Sequence, residues 1–250
     1  MIRLGEYVKR MKFFDVQFDL CRRGINIFAA NRKAVDEYVE AHRQSYATGA
    51  ASYTARQSEK HPIDDLIANS LAKAYASHLR TNLSAHIEFA DNRIAQYELI
   101  LRGAFFEEEI KEIHRHVLFA EPKLLKPDRK IDLGRIVSTD YEQLIEEEIE
   151  AEVRSLDRQS VEKRAEYFQD RLKLKWAIGQ VEQEVGLAGV IGGVSSVLDI
   201  RNKILHETPD AVITADVLQS ARLYLTYVPN ACTEQAATLY PSITSADEAA

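Results

Sequence analysis

Apolar side chains recur every three or four positions along most of this chain, which is the spacing of one face of a helix. The pattern runs through residues 4–45 and again from Asp64 onward, where leucine, tyrosine and isoleucine follow one another at spacings of four. Further amphipathic segments lie at 105–120, 138–156 and 160–228. No segment alternates with a period of two, so we predict an all-α fold without a sheet.

Interruptions of this pattern divide the chain into three predicted regions. The segment from Ser45 to Pro62 is small and polar, which is typical of a linker or an exposed loop. We therefore predict an N-terminal helical extension with its linker at 1–60 and a helical domain at 61–228. Pro229 is predicted to end the ordered chain, which leaves 229–250 as a partly disordered C-terminal tail.

Glycines mark further points where helices could end or approach one another. Gly103 is predicted to interrupt or end the long helix that begins near Asp64. On a helix, Gly186, Gly189 and Gly193 lie on one side, so they could admit a neighbouring helix at short distance. A break in the helix at these glycines is the other interpretation.

Composition and charge restrict the classes of protein to consider. The 250 residues carry a net charge of −7, whereas proteins that coat nucleic acid non-specifically are strongly basic. A local basic cleft remains compatible with this balance. Apolar runs are too short for a membrane span, and the N-terminus lacks the apolar core of a signal peptide. We expect a cytoplasmic protein that does not enter a membrane.

Several common sites are not predicted. Cys21 and Cys232 are too few for a disulfide framework or a metal quartet. His114 and His116 are two positions apart, diverge on a helix and lack the H-E-x-x-H pattern, so they do not indicate a metal. The glutamate run 107–109 is predicted to be an exposed face, as is the run 146–148. The sequence thus predicts neither a metal nor a cofactor.

One segment combines a cation with a helix-like apolar stripe. Arg201 falls in the middle of a stripe formed by Leu187, Val190, Ile191, Val194, Val197, Leu198 and Leu205. A guanidinium in such a place must be paired or must line a cleft where it meets an anion. Asn202 and His206 are four positions apart and share a face. A structural interpretation is also open, in which Arg201 pairs with Asp199 or with an acid of another helix and His206 caps carbonyls.

These three residue types suit phosphodiester chemistry. Arg201 is a permanent cation, Asn202 a polar orienting group, and His206 can exchange a proton near neutral pH. Five helical positions hold Arg201 and His206 about 140° apart, so local distortion or reach is required. A homodimer that pairs two such segments across a twofold axis would bring two arginines and two histidines into one cleft.

The segment LDIRNKILHE resembles the R-N-x-x-x-H signature of HEPN domains, the helical domains named for higher eukaryotes and prokaryotes nucleotide binding. Over residues 64–228, the order of a long helix, further helices, the motif and a closing helix is similar as well. The resemblance implies a HEPN-like helical bundle, here with additional N-terminal helices. It also implies a metal-independent endoribonuclease of toxin or antiviral-defence type that acts on RNA as a homodimer.

In that resemblance Arg201 stabilises the scissile phosphate, and His206 acts as general base or acid on the 2′-hydroxyl or the leaving oxygen. Asn202 orients the site, and the product carries a cyclic phosphate. An antitoxin or a defence-complex protein is the implied partner. The tyrosine that some toxin members carry two positions after the histidine is Thr208 here, so its nucleotidylation is not implied.

Two other interpretations stay open. One is a catalytically inactive HEPN-like module that binds RNA or nucleotide, or that serves as a dimeric scaffold. The other is a helical protein that only binds partner proteins.

A basic set of Arg164, Arg171 and Lys175, beside Trp176, is predicted to share a helical side and to contact RNA phosphates or stack a base. A solvated face beside a core tryptophan is the ordinary interpretation of the same residues.

Overall fold

A computed structural model of the chain describes residues 6–55, 62–126 and 140–241, and all regular structure within these ranges is helical. The helices are α1 (Glu6–Ala30), α2 (Arg32–Ala55), α3 (Pro62–Ala120), α4 (Tyr141–Asp157), α5 (Val161–Asp170), α6 (Gly179–Glu184), α7 (Gly186–His206) and α8 (Ala215–Leu239). A 3-10 turn at Pro122–Leu124 follows α3. The predicted all-α fold is therefore confirmed. None of the described helices is both long enough and apolar enough to cross a membrane.

The chain forms two compact units. The large unit consists of Met1–Asp15 together with Ala95–Ala250, and the small unit is Val16–Ile94. The limits of both units fall within helices α1 and α3. The predicted domain limits near residues 60 and 228 stay a prediction.

In the small unit, the predicted linker begins too early. Helix α2 continues to Ala55, so the first part of the segment from Ser45 onward is helical rather than a loop. Two physical causes explain the difference. The segment is rich in alanine, the best helix former, and the Tyr46 ring stacks on Tyr75 of α3 with centroids 4.8 Å apart. Residues 56–61 of the predicted linker lie outside the described residues.

The prediction that Gly103 interrupts the long helix is wrong, because α3 runs without a break from Pro62 to Ala120. Gly103 is buried in the large unit. A Cβ atom at this position would lie 3.1 Å from Arg201 Cδ and 3.4 Å from Leu198 Cδ2, both on α7. The helix cost of glycine, about 1 kcal/mol, is offset by the close packing that it permits here.

The core of the large unit contains an aromatic cluster around Trp176. The Trp176 ring meets Phe106 and Phe168 edge to face, with centroids 5.9 and 6.0 Å apart. The same core includes buried aliphatic residues of four helices, among them Leu99, Ile110, Ile149, Val190, Val194, Leu225 and Val228. Helix α7 is thus fixed along its buried face.

Both interpretations of the α7 glycines apply, at different positions. Gly186 has φ = +67° at the junction of α6 and α7, where the left-handed backbone breaks the helix. Gly193 lies inside α7, and a Cβ there would be 2.7 Å from Cζ of Tyr224 on α8. Gly193 therefore permits the close contact between α7 and α8.

Two neighbouring glycine substitutions should have opposite effects on stability. Gly193→Ala forces the Tyr224 ring to move and is expected to lower the free energy of unfolding by about 1–3 kcal/mol. Gly192→Ala is the matched control, because a Cβ there meets nothing within 4 Å. The control should gain up to about 1 kcal/mol from helix propensity. Urea unfolding followed by the fluorescence of Trp176 measures both, and equal shifts would contradict the proposed close contact.

The expectation that ordered structure ends at Pro229 is also wrong. Helix α8 continues through the proline to Leu239. Proline removes one backbone donor, but Pro229 and Cys232 are buried in the large unit, and the Thr233 hydroxyl donates to Pro229 O at 2.6 Å. Burial of this last part of α8 outweighs the proline. Residues 242–250 of the predicted tail lie outside the described residues.

Candidate functional site

Helix α7 places Arg201 against α3, where it forms an ion pair. Arg201 Nη1 donates to Glu107 Oε2 at 2.8 Å, and the two side chains are 14% and 25% exposed. The sequence predicts that a guanidinium in the apolar stripe is either paired or meets an anion in a cleft. The ion pair with Glu107 confirms the first of these alternatives. The partner is an acid of another helix and not Asp199, which is exposed on α7.

Gly103 makes this approach possible. The Arg201 side chain lies over Gly103, one helical turn before Glu107, and a Cβ at Gly103 would be 3.2 Å from Arg201 Nε. Arg201 Nε is buried and has no hydrogen-bond acceptor among the described residues. The stem of Arg201 is therefore enclosed between two helices, and its outer nitrogens carry the polar contacts.

Asn202 and His206 are both exposed on the last turns of α7. The Asn202 Oδ1 atom accepts a hydrogen bond from Arg201 Nη1 at 3.4 Å. His206 is the last residue of α7, and its ring makes no hydrogen bond within the described part of the chain. The backbone itself supplies donors at the C-terminal end of α7, since Lys203 O accepts from the amides of Glu207 and Thr208, both at 2.8 Å. His206 is thus not needed as a helix cap.

The chain beyond His206 is tied to α3 as well. Gln96 is buried, and its Nε2 donates to Pro209 O at 2.9 Å and to Ala211 O at 2.7 Å. Together with the ion pair of Arg201, these bonds hold the end of α7 before and after His206. The imidazole is therefore presented to solvent from a fixed backbone.

The relative direction of Arg201 and His206 follows from the helix. Helix α7 keeps its α-helical backbone through His206, so the local distortion that would turn the two side chains toward each other is not seen. They leave the helix axis about 140° apart. A single copy of the chain presents them in different directions.

The basic set does not share a helical side, so that part of its prediction is wrong. Helix α5 ends at Asp170, and Arg171 and Lys175 lie beyond it. The Trp176 ring is fully buried in the core and cannot stack on a base. The end of the helix could not be predicted from the sequence because the turn after Asp170 contains no glycine or proline.

The two arginines of the set make internal contacts. Arg164 is buried and donates from Nε to Gln159 O at 3.2 Å, while Arg171 donates from Nε to Leu124 O at 2.7 Å. Lys175 is half-exposed and pairs with Glu182 at 3.3 Å. These contacts agree with structural roles for Arg164 and Arg171, and RNA binding by the set stays a prediction.

Part of the predicted exposed acidic face is buried. Glu108 is exposed, but Glu109 is buried, and so is His114 on the same helix. His114 Nε2 lies 3.2 Å from the Tyr167 hydroxyl, which donates to Glu152. Within the described ranges no group of three or more histidine, cysteine or acidic side chains is placed to hold a metal.

Sequence reasoning missed a buried charge cluster on α3. Glu98 is fully buried and accepts from Arg102 Nε at 3.0 Å and from Arg222 Nε and Nη2 at 2.7 and 3.0 Å. Arg102 also donates to Asp15. Burial raises the pKa of Glu98, but the hydrogen bonds and charges of Arg222 and Arg102 outweigh it and hold that pKa below its usual value. A glutamate and an arginine four apart in the apolar run ELILRGAFF were the available signal.

Comparison of the chain with models of protein families, with curated proteins and with solved structures found no match. The HEPN resemblance therefore depends on the R-N-x-x-x-H motif between Arg201 and His206 and on the order of the helices. Membership of that family stays a prediction.

Proposed function

We propose that this chain is a metal-independent endoribonuclease of HEPN type, of the toxin or antiviral-defence class, with a composite site formed by two copies. The observation that carries the proposal is the end of α7. There a fixed and paired Arg201 stands on the same two turns as His206, whose exposed ring has no hydrogen-bond partner in the described residues. The bonds of Gln96 to the chain after His206 support the same idea, because a catalytic group needs a rigid backbone.

The proposed reaction uses the RNA itself as nucleophile. A histidine takes the proton of the 2′-hydroxyl, and the 2′-oxygen attacks the neighbouring phosphorus. The bond from phosphorus to the 5′-oxygen breaks, and that oxygen receives a proton from a general acid. The products are a 2′,3′-cyclic phosphate and a 5′-hydroxyl. Arg201 would stabilise the negative charge that develops on the phosphate oxygens.

The directions of the two side chains favour a dimer. Arg201 and His206 of one copy lie about 140° apart on a regular helix, and the reaction needs both a base and an acid. A second copy related by a twofold axis supplies another arginine and another histidine. Two motifs in one cleft then provide both proton-transfer groups.

Cleavage of total cellular RNA in excess EDTA tests the proposal. We expect the purified wild type to cleave and to leave 2′,3′-cyclic phosphate and 5′-hydroxyl ends. The double variant Arg201→Ala/His206→Ala, purified in the same way, should be inactive, which excludes a contaminating nuclease. Equal cleavage by both proteins, or loss of wild-type cleavage in EDTA, would refute the assignment.

A catalytically inactive module is the second candidate, and a specific observation favours it. Glu107 already offsets the charge of Arg201, which leaves less positive charge to stabilise the transition state of cleavage. A module that does not cleave RNA therefore demands less of this site. Such a module would serve as a dimeric scaffold for an antitoxin or defence protein. Retained RNA binding in the absence of any cleavage would distinguish it.

A further inference from the structure

Glu107 stands out among the three consecutive glutamates of α3 by its environment. Glu108 is exposed and Glu109 is buried, whereas Glu107 is a quarter exposed and faces Arg201 of α7 at 2.8 Å. The contact joins residues 94 positions apart in sequence. It therefore fixes a side chain of the proposed site from a different helix.

The contact engages only part of the guanidinium. Nη1 donates to both Glu107 and Asn202, and Nε is buried against Gly103. Nη2 makes no hydrogen bond in the described part of the chain, and it is not among the buried atoms that lack a partner. Nη2 is thus the nitrogen that remains for a phosphate.

We propose that Glu107 is a positioning residue that acts through Arg201, an inference that rests on the proposed ribonuclease function. An unpaired arginine side chain samples many rotamers, so it loses conformational entropy when it is fixed in one position. Pairing of Nη1 with Glu107 removes that freedom before RNA binds. Because the guanidinium is planar, the same contact also fixes the direction of Nη2. Such preorganisation stabilises a transition state without further rearrangement.

The opposite role would be a latch, in which Glu107 competes with the RNA phosphate for Arg201. This role predicts the opposite change in the cleavage rate. A latch would be released when Glu107 is removed, and cleavage would become faster. Two observations favour positioning. Glu107 binds only Nη1, and the buried stem of Arg201 over Gly103 restrains the guanidinium from swinging to a separate bound position.

Kinetics on a fluorophore-quencher single-stranded RNA of mixed sequence test this role. Glu107→Ala is expected to lower kcat about 10- to 100-fold with little change in KM, since a misplaced catalytic group costs rate more than affinity. Glu107→Gln keeps an oxygen that accepts from Nη1 and should recover most of the loss. Glu108→Ala, the exposed neighbour, is the matched control and should match the wild type.

A double variant separates positioning from a general effect on folding. If Glu107 acts through Arg201, then Arg201→Ala/Glu107→Ala cleaves the RNA no more slowly than Arg201→Ala alone. It should also bind the 2′-O-methyl form of the same RNA, which cannot be cleaved, no more weakly than Arg201→Ala does. A further loss in the double variant, a wild-type rate in Glu107→Ala, or a faster rate would each overturn the proposal. Where the alanine variant does not fold, Glu107→Asp decides, with about a tenfold fall in kcat expected from the shorter reach.

The failure of this inference is distinguishable from failure of the proposed function. A wild type that cleaves, with Glu107→Ala cleaving equally well, overturns the role of Glu107 alone. A wild type that neither cleaves the RNA nor binds its 2′-O-methyl form overturns both.

Discussion

Glu98→Gln is expected to destabilise the large unit by about 3 kcal/mol or more, because it removes one partner of a buried ion pair. Glu98 is fully buried, and the Arg102 side chain is only 1% exposed. The glutamine is nearly isosteric, so the loss reports charge rather than volume. Arg102 would keep Asp15 as its remaining acidic partner, and Arg222 would lose a two-pronged interaction.

The same substitution should remove part of the acid sensitivity of the protein. The pKa of Glu98 in the folded chain lies below its usual value of 4.5, so its ionised form stabilises the fold above that value. This contribution is lost as the pH falls below about 4.5. Wild type and Glu98→Gln should therefore differ most near neutral pH, and the difference in unfolding free energy should shrink as the pH falls below 4.5 and Glu98 becomes protonated.

Urea unfolding of both proteins as a function of pH measures this difference. Trp176 is the single tryptophan of the chain and is buried in the large unit, so its fluorescence reports that unit alone. Glu108→Gln, on the exposed side of the same helix, is the control and should change stability by less than about 0.5 kcal/mol. A difference between wild type and Glu98→Gln that stays constant with pH would contradict the role of the Glu98 charge.

Helices could be predicted from this sequence because their signal is local. The apolar spacing of α7 and α8 required no knowledge of the neighbouring elements, and both helices are present. Predicted ends failed where the fold overrides local preference. Pro229 and Gly103 both disfavour a helix locally, yet burial in the large unit keeps α8 and α3 continuous through them.

The candidate site was predictable only in part, for a related reason. The position of Arg201 in an apolar stripe requires a partner on physical grounds, and a partner is present. The identity of that partner could not follow from one sequence, since Glu107 belongs to a run that has the composition of a solvated face. The contacts of Arg171 could not be predicted for another reason. This side chain donates to the main-chain oxygens of Leu124 and Leu125, and every residue has such an oxygen, so the sequence does not indicate which one is used.

His206→Ala is expected to lower RNA cleavage about 10²- to 10⁴-fold, the range for loss of a general acid or base. Its effect on stability should be within about 0.5 kcal/mol, because the side chain is exposed and makes no hydrogen bond among the described residues. His86→Ala is the matched control. His86 is an exposed histidine of α3 in the small unit, and its removal should leave cleavage unchanged.

Arg201→Ala separates catalysis from structure when it is measured beside His206→Ala. We expect about a 10²- to 10³-fold loss of cleavage from missing charge stabilisation, together with about 1–2 kcal/mol of lost stability, because Glu107 keeps a partly buried carboxylate without its cation. A scaffold would show the stability loss in Arg201→Ala and no phenotype in His206→Ala. Only an active site requires the exposed and unbonded histidine, so cleavage rates and unfolding midpoints of these two variants distinguish the two candidate functions.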